Sequence, residues 1–273
     1  MSNKRYDQHI HSSFSYDANQ GCTIPEIIDT AVSVGLAGIA VTDHFDPYWP
    51  EANESAVLYL PDYQAALTEA EKSADGRIQF AKGIEFGFFP GETLDICQKA
   101  VSGYPYDFVI GSMHSSKNEP LHYPSFHEGR TLKEILDEFY NQLLACIKYY
   151  KDYDVLGHIN YIDRYTEEIP PESLYMPYID EVLRLIISEG KGIEINCATF
   201  GRLKRSDDFG TPNLPILKHY KDIGGEIVTI GSDAHSMGDI GAFIANGEDL
   251  LRSAGFKYLA VFKNRQPEFI PTL

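Results

Sequence analysis

The stretch DQHIHSSFSYD, residues 7–17, places two of the chain's nine histidines, His9 and His11, either side of one isoleucine at the end of the first β-rich run. Residues two apart in a strand project to the same face, so the two imidazoles can converge on one point. Convergent imidazoles are metal-ligand geometry. If other strands end in the same way, the fold must be one that gathers strand ends.

Short β-rich runs alternate with helical patterns along the whole chain. Strands are predicted near residues 5–10, 38–43, 78–85, 107–113, 154–159, 192–197 and 226–231, with YLAVF at 258–262 as a possible eighth. Helices are predicted over PEIIDTAVSVG at 25–35, with Pro25 at its start and Gly35 just past its end, over 131–151, 176–189 and about 213–223. Repeated β-then-α units imply an α/β fold with a mainly parallel sheet covered by helices, either closed as a barrel or open and doubly wound. No glycine-rich phosphate loop follows the first strand, which favours the closed form. Residues 45–62 and 115–130 carry proline and polar punctuation without periodicity and are expected to be loops over one barrel end. No repeat, low-complexity tract or linker divides the sequence, so one domain over residues 1–273 is expected, a length that α/β barrels reach.

Composition narrows the function. The net charge of −17 opposes general binding to nucleic acid or an anionic membrane surface, which needs basic residues to neutralise phosphates. Cys22, Cys97, Cys146 and Cys197 are far apart and form no CxxC pair, so neither a zinc ribbon nor a disulfide framework is indicated. The N-terminus lacks the apolar stretch of a signal peptide, and no segment has the apolar length of a membrane span. A soluble cytoplasmic protein in a reducing compartment is expected.

Candidate ligands end one predicted strand after another: His9 and His11, Asp43 and His44, Glu85, His114, His158, Glu194 and Asn196, then Asp233 and His235. Six of the nine histidines fall at such positions. In an α/β barrel the C-terminal strand ends share one face, so residues distant in sequence become neighbours there. A lone histidine at a strand end more often makes an ordinary hydrogen bond, but six imidazoles with Asp17, Glu85 and Asp233 exceed what one zinc needs. The set suits two or three divalent ions sharing carboxylates. His122 and His127 in a polar loop and His219 in a helical segment are expected to be solvated or substrate-adjacent. Glu194 and Asn196 are candidates to support the ligands from behind, and Asp43 to orient His44.

The motifs HIH at 9–11, Asp17, TDH at 42–44, GIE at 83–85, GSMH at 111–114, GHI at 157–159 and SDAH at 232–235 resemble those of the polymerase and histidinol phosphatase (PHP) superfamily over nearly the whole chain. DFVIGSMH, GHINYIDRY and EINCATFGRLK look most like the histidinol-phosphate phosphatases of histidine biosynthesis. The resemblance implies a distorted (β/α)7 barrel, similar to a TIM barrel, with a trinuclear centre at the C-terminal ends of the strands. It implies that His9, His11, Glu85 and Asp233 hold one ion, that Glu85 bridges to a second held by His114 and His158, and that Asp17, His44 and His235 hold a third. Zinc, manganese and iron all suit imidazole and carboxylate ligands.

The implied reaction is hydrolysis of a small phosphomonoester, L-histidinol phosphate, to L-histidinol and phosphate. The expected nucleophile is a hydroxide between the ions sharing Glu85. Arg164 in NYIDRY and Arg202 in ATFGRLK follow strands on the same face and have guanidinium forks suited to phosphate. Asp233 and His235 are candidates to protonate the leaving alkoxide. Phe14, Tyr16 and Tyr161 stand beside ligand positions and could contact imidazole rings, whereas Arg205 is expected to be a solvated charge. A cysteine phosphatase is disfavoured because CATFGR puts four residues, not five, between Cys197 and Arg202, and the aspartyl-phosphate DxD signature is absent. Another phosphoesterase of the same superfamily, acting on a nucleotide or phosphotyrosine, is an alternative. So is an amidohydrolase-like metal hydrolase, which would have no need of the two arginines.

Overall fold

The structure is a computed structural model that describes residues 4–47, 58–89, 93–116, 119–166, 169–202 and 212–272. Seven parallel strands follow one another in sequence order around a nearly closed barrel: β1 (Arg5–Ile10), β2 (Leu36–Val41), β3 (Gln79–Gly87), β4 (Phe108–Ser112), β5 (Val155–Leu156), β6 (Gly192–Asn196) and β7 (Val228–Gly231). The alternation of strand and helix predicts this arrangement, and the strands are almost wholly buried because helices cover them outside and side chains fill them inside. A two-residue strand, His44–Phe45, continues the line of β2 and pairs with Glu85 and Phe86 of β3.

The seam between β7 and β1 closes just beyond the regular strands. Ile10 forms a parallel bridge with Ala234, Asp233 N–H donates to His9 O at 2.8 Å, and His11 N–H donates to Ala234 O at 2.9 Å. The buried Asp7 carboxylate reinforces the seam by accepting from the backbone N–H of Ser232 at 2.8 Å and of Gly241 at 2.9 Å. The same contacts that close the barrel therefore fix His9, His11 and Asp233 beside one another.

The helix Ile24–Ser33 has proline in its first turn and Gly35 at φ 81° beyond its end, as the sequence predicts. Leu132–Tyr149 starts with a reciprocal Thr131–Glu134 capping box. Glu172–Ser188 begins four residues before the predicted start and runs through Pro177, and Leu214–Asp222 agrees with its prediction. Helices Leu60–Ala74, Thr93–Ser102 and Ile244–Ser253 were not predicted, and the first of them begins inside the stretch expected to be a loop. The stretch 115–130 contains the two-residue strands Ser115–Ser116 and Glu119–Pro120 and one helical turn, Pro124–His127.

The possible eighth strand is not part of the barrel. Tyr258–Lys263 (β8) pairs antiparallel with Gln266–Pro271 (β9) through a two-residue turn whose central residues, Asn264 and Arg265, have φ of 50° and 63°. Two successive left-handed residues reverse the chain at once, so β8 pairs with its own continuation. The hairpin plugs the N-terminal end of the barrel: Phe262 stacks on Phe108 with ring centroids 4.9 Å apart, among Ala40, Ala81, Ile110 and Val155. Pro267 and Pro271 take the non-hydrogen-bonded positions of the ladder, so the free edge of β9 lacks two outward N–H donors and is guarded against strand addition.

Candidate metal centre

The opposite, C-terminal end of the barrel carries the polar residues, and Glu85 is at its middle. Its side chain is fully buried at the end of β3, and its two oxygens face different histidines. Oε2 lies 3.2 Å from His9 Nε2, 3.5 Å from His11 Nε2 and 3.0 Å from His44 Nδ1. Oε1 lies 3.1 Å from His158 Nε2 and 3.4 Å from His114 Nε2, and accepts from Ser112 Oγ at 2.5 Å. His9 and His11 meet at their Nε2 atoms, 2.9 Å apart, and His114 and His158 meet at theirs, 3.3 Å apart. The alternation of side chains along β1 thus produces the convergence that its sequence predicts.

On the rim, Asp233 Oδ1 is 3.3 Å from His11 Nε2 and 3.7 Å from His9 Nε2. Asp17 Oδ2 is 3.3 Å from His235 Nε2 and 3.7 Å from His44 Nε2. Four groups have ligand atoms close enough to share an ion among the described residues: His9, His11 and Glu85; Glu85, His114 and His158; His11, His44 and His235; and His44, Asp46 and His114. The first two bring together residues expected to share an ion, and Asp233 adjoins the first. The third adds His11 to the predicted pair of His44 and His235, with Asp17 beside them.

Asp46 was missed by sequence reasoning. Its Oδ2 lies 3.1 Å from His114 Nδ1 and 3.7 Å from His44 Nδ1. A Cβ at Gly87 would collide with this carboxylate, so the glycine ending β3 makes room for it. The local signal was the spacing of His44 and Asp46, two apart on an extended segment, as in the HIH pair.

Supporting residues fix the ring orientations. Glu194 Oε1 takes His9 Nδ1 at 2.5 Å while Oε2 accepts the His158 backbone N–H at 3.0 Å, so one β6 carboxylate holds ligands from β1 and the end of β5. This turns His9 Nε2 towards the centre. His158 needs such an anchor because its φ of 23° lies in the left-handed region. Gly231 admits the arrangement, since a Cβ there would strike His9. Asp43 does not orient the His44 ring directly. Its carboxylate is taken up by the Ser12 and Ser15 hydroxyls, each at 2.7 Å, and Ser15 Oγ in turn meets His11 Nδ1 and the His44 N–H, each at 3.0 Å.

The electrostatics suit cations. Burial alone would push the Glu85 carboxyl up, but the fields of His9, His44 and His114 outweigh it and hold the group well below the usual carboxylate range. Asp233 behaves likewise under His9, His11, His235 and Arg164. Burial pulls His44 down, yet Asp17 and Glu85 raise it to about 9. Buried carboxylates held ionised need positive charge beside them, which protons on the imidazoles or divalent cations can supply. The donor set, imidazole nitrogen with carboxylate oxygen, fits zinc, manganese or iron.

A cavity of about 300 Å³ opens over the centre, lined by Asp17, His44, His114, His158, Asp233 and His235 with Tyr16, Tyr161, Arg164, Tyr165 and His122. Arg164 lies 4.8 Å over the Tyr161 ring, donates from Nη2 to Asn196 Oδ1 at 3.0 Å and is 3.5 Å from Asp233 Oδ2, while its Nε is buried without a hydrogen bond. Arg202 ends the helix Ala198–Arg202, but its side chain lies outside the described residues, as does Arg205. Tyr16 stacks on His44, and Tyr161 meets His158 at a tilt, with centroids 5.6 and 4.7 Å apart. Phe14 instead packs against Tyr63 in the core, at 5.4 Å. His127 meets Leu121 O and His219 pairs with Asp180, both away from the cavity.

This site belongs to a chain with clear relatives. It is 30% identical over 256 residues to a Clostridium acetobutylicum protein named "Probable histidinol-phosphatase", covering 92% of this chain and 94% of that one. It is 29% identical to the histidinol-phosphatase of Lactococcus lactis, over 95% of this chain and 94% of that one. Among solved structures, that of histidinol phosphate phosphatase from Lactococcus lactis, complexed with zinc, L-histidinol and phosphate, superposes with a TM-score of 0.87 at 26% identity, over 97% of this chain and 99% of that one. The PHP domain family matches residues 7–198, which carry the first seven of the nine predicted ligands, and the chain belongs to that family.

Proposed function

We propose that the protein is a metal-dependent phosphomonoesterase that hydrolyses L-histidinol phosphate to L-histidinol and phosphate. The observation that carries this reading is Glu85, whose two carboxylate oxygens serve separate histidine clusters beneath a cavity that also holds an arginine with an unused buried N–H. The named relatives and the solved histidinol phosphate phosphatase, alike over nearly the whole chain, support the substrate.

We assign His9, His11, Glu85 and Asp233 to one ion, Glu85, His114 and His158 to a second, and Asp17, His44 and His235 to a third. Asp46 is placed to join the second or third. Bound divalent ions supply an activated water and Lewis acids for the phosphoryl oxygens. Zinc is supported by the solved relative, and manganese and iron share the ligand chemistry. Arg164 lines the cavity and is assigned to bind the phosphate, with its Nη2 held by Asn196 and lying beside Asp233. Arg202 is assigned as the second phosphate-binding guanidinium on the sequence pattern alone. Contact with the leaving oxygen is assigned to Asp233 and His235, which line the cavity beside Arg164.

Among the described residues no helix is long and apolar enough to cross a membrane. With the net charge of −17, this supports a single-domain cytoplasmic enzyme acting on a small molecule, neither on nucleic acid nor at a membrane. The test is phosphate release from L-histidinol phosphate compared with nucleotide, sugar-phosphate and phosphotyrosine esters, after reconstitution with zinc or manganese. Preference for histidinol phosphate is expected. Preference for another ester would discard the substrate and keep the phosphoesterase.

A further inference from the structure

Arg164 reaches the cavity from a short 3-10 helix, Tyr161–Tyr165, that begins three residues after His158. Tyr161, Arg164 and Tyr165 face the cavity. Asp163 faces the other way: its side chain is buried, and its charge is felt by Tyr140 and Tyr175 on the helices behind. Short 3-10 turns have poor hydrogen-bond geometry and need help to keep one shape. The help comes from side chains on the hidden face. Asn160 Nδ2 donates to Asp163 Oδ2 at 2.7 Å, the Asp163 N–H donates to Asn160 O at 3.0 Å, and the Thr166 hydroxyl donates to Asp163 O at 3.1 Å.

We infer that Asn160 and Asp163 form a clamp that sets the position of Arg164, making them positioning residues for the phosphate group rather than ligands of the metal centre. The clamp fixes the backbone end of the arginine, as Asn196 and Asp233 fix its guanidinium end. Neither clamp residue lines the cavity, so substrate touches neither. The inference rests on Arg164 binding phosphate, not on the identity of the alcohol.

Burial pushes the Asp163 carboxyl up to about 7, with the Asn160 amide pulling the other way. Asp163 Oδ1 and Asn160 Oδ1 make no hydrogen bond. The contact between the two residues is thus the principal stabilisation of a costly buried group, which is expected only where its geometry matters.

The experiment is calorimetric titration of the metal-loaded protein with inorganic phosphate, together with metal content by elemental analysis, for wild type, Asn160→Ala, Asp163→Ala and Asp163→Asn. Both alanine variants should bind phosphate about tenfold more weakly, as the guanidinium loses its fixed position, with metal content unchanged. Asp163→Asn keeps an oxygen acceptor for the Asn160 amide and should recover most of the affinity. If Asp163→Ala does not fold, Asn160→Ala decides. Unchanged phosphate affinity in folded Asn160→Ala, no recovery in Asp163→Asn, or loss of metal in parallel with phosphate would each overturn the clamp. A protein that binds phosphate as predicted but leaves L-histidinol phosphate intact would overturn the substrate and leave the clamp standing.

Discussion

The two ends of the barrel bury carboxylates in opposite ways. At the hairpin end, each is held by fixed donors. Asp107 takes the backbone N–H groups of Lys82 and Asn264 and the Lys263 ammonium, each at 3.0 Å, and Asp154 takes the Val109 N–H at 2.8 Å and Arg265 Nε at 2.6 Å. At the other end, the buried Glu85 and Asp233, with the exposed Asp17 on the rim, face imidazoles, whose charge can be given up. Permanent cations make a closed structural end. Titratable partners make an end that can exchange protons for metal ions, and the cavity opens there.

The largest effect should come from removing the shared carboxylate. Glu85→Gln keeps the shape but loses the charge that both histidine clusters face, and turnover should fall by about 10³-fold or more, with bound metal reduced. A fully active, fully loaded Glu85→Gln enzyme would erase the distinction between the ends. Arg164→Ala should lower kcat/KM by roughly 10²–10³-fold while leaving metal content intact, as expected for loss of a donor that acts on substrate. An unchanged kcat/KM would return Arg164 to the role of an ordinary ion-pair partner of Asp233.

Stability should separate the ends by pH. The His44 value in the fold, about 9, lies above its ordinary value of 6.5, because Asp17 and Glu85 outweigh burial. A raised imidazole stabilises the fold fully below about pH 6.5, and that contribution is lost as pH rises through about 9. The His44 contribution, on the order of 3 kcal/mol, should therefore be lost across this window in chelator-treated protein. Thermal unfolding at stepped pH would show it, and a flat profile would contradict it. At the hairpin end the smallest effect is expected: Arg265→Ala leaves Asp154 buried with only a backbone donor, which costs about 1–3 kcal/mol, and the kinetics should not change.

The strand ends were legible because periodicity two is a local property: His9 and His11 announce a shared face without any knowledge of the rest. Distant relations were less so. The space for Asp46 depends on Gly87, 41 residues later, and nothing near either residue reports it. YLAVF reads as a strand and is one, but its partner is decided by Asn264 and Arg265, a weaker turn signal than Asn-Gly because arginine rarely takes positive φ. The start of Glu172–Ser188 was hidden by Pro177, which tertiary packing of Tyr175 and Ile179 overrides. The expectation that Asp43 orients His44 is met only through the backbone, because Ser15, which donates to Asp43, accepts the His44 N–H and meets the ring of His11 instead. The PHP motifs were legible for the same reason as the strand ends, since each is a short run in which ligand and strand terminus coincide.

An end of the barrel that can exchange protons for metal ions is suited to hydrolysing a phosphate ester. The most direct measurement is the rate of phosphate release from L-histidinol phosphate as zinc or manganese is added back to chelated protein, with bound ions counted per chain. Release should be absent without metal and rise with occupancy of the sites built on Glu85. Release that ignores occupancy, or full occupancy with no release, would contradict the account.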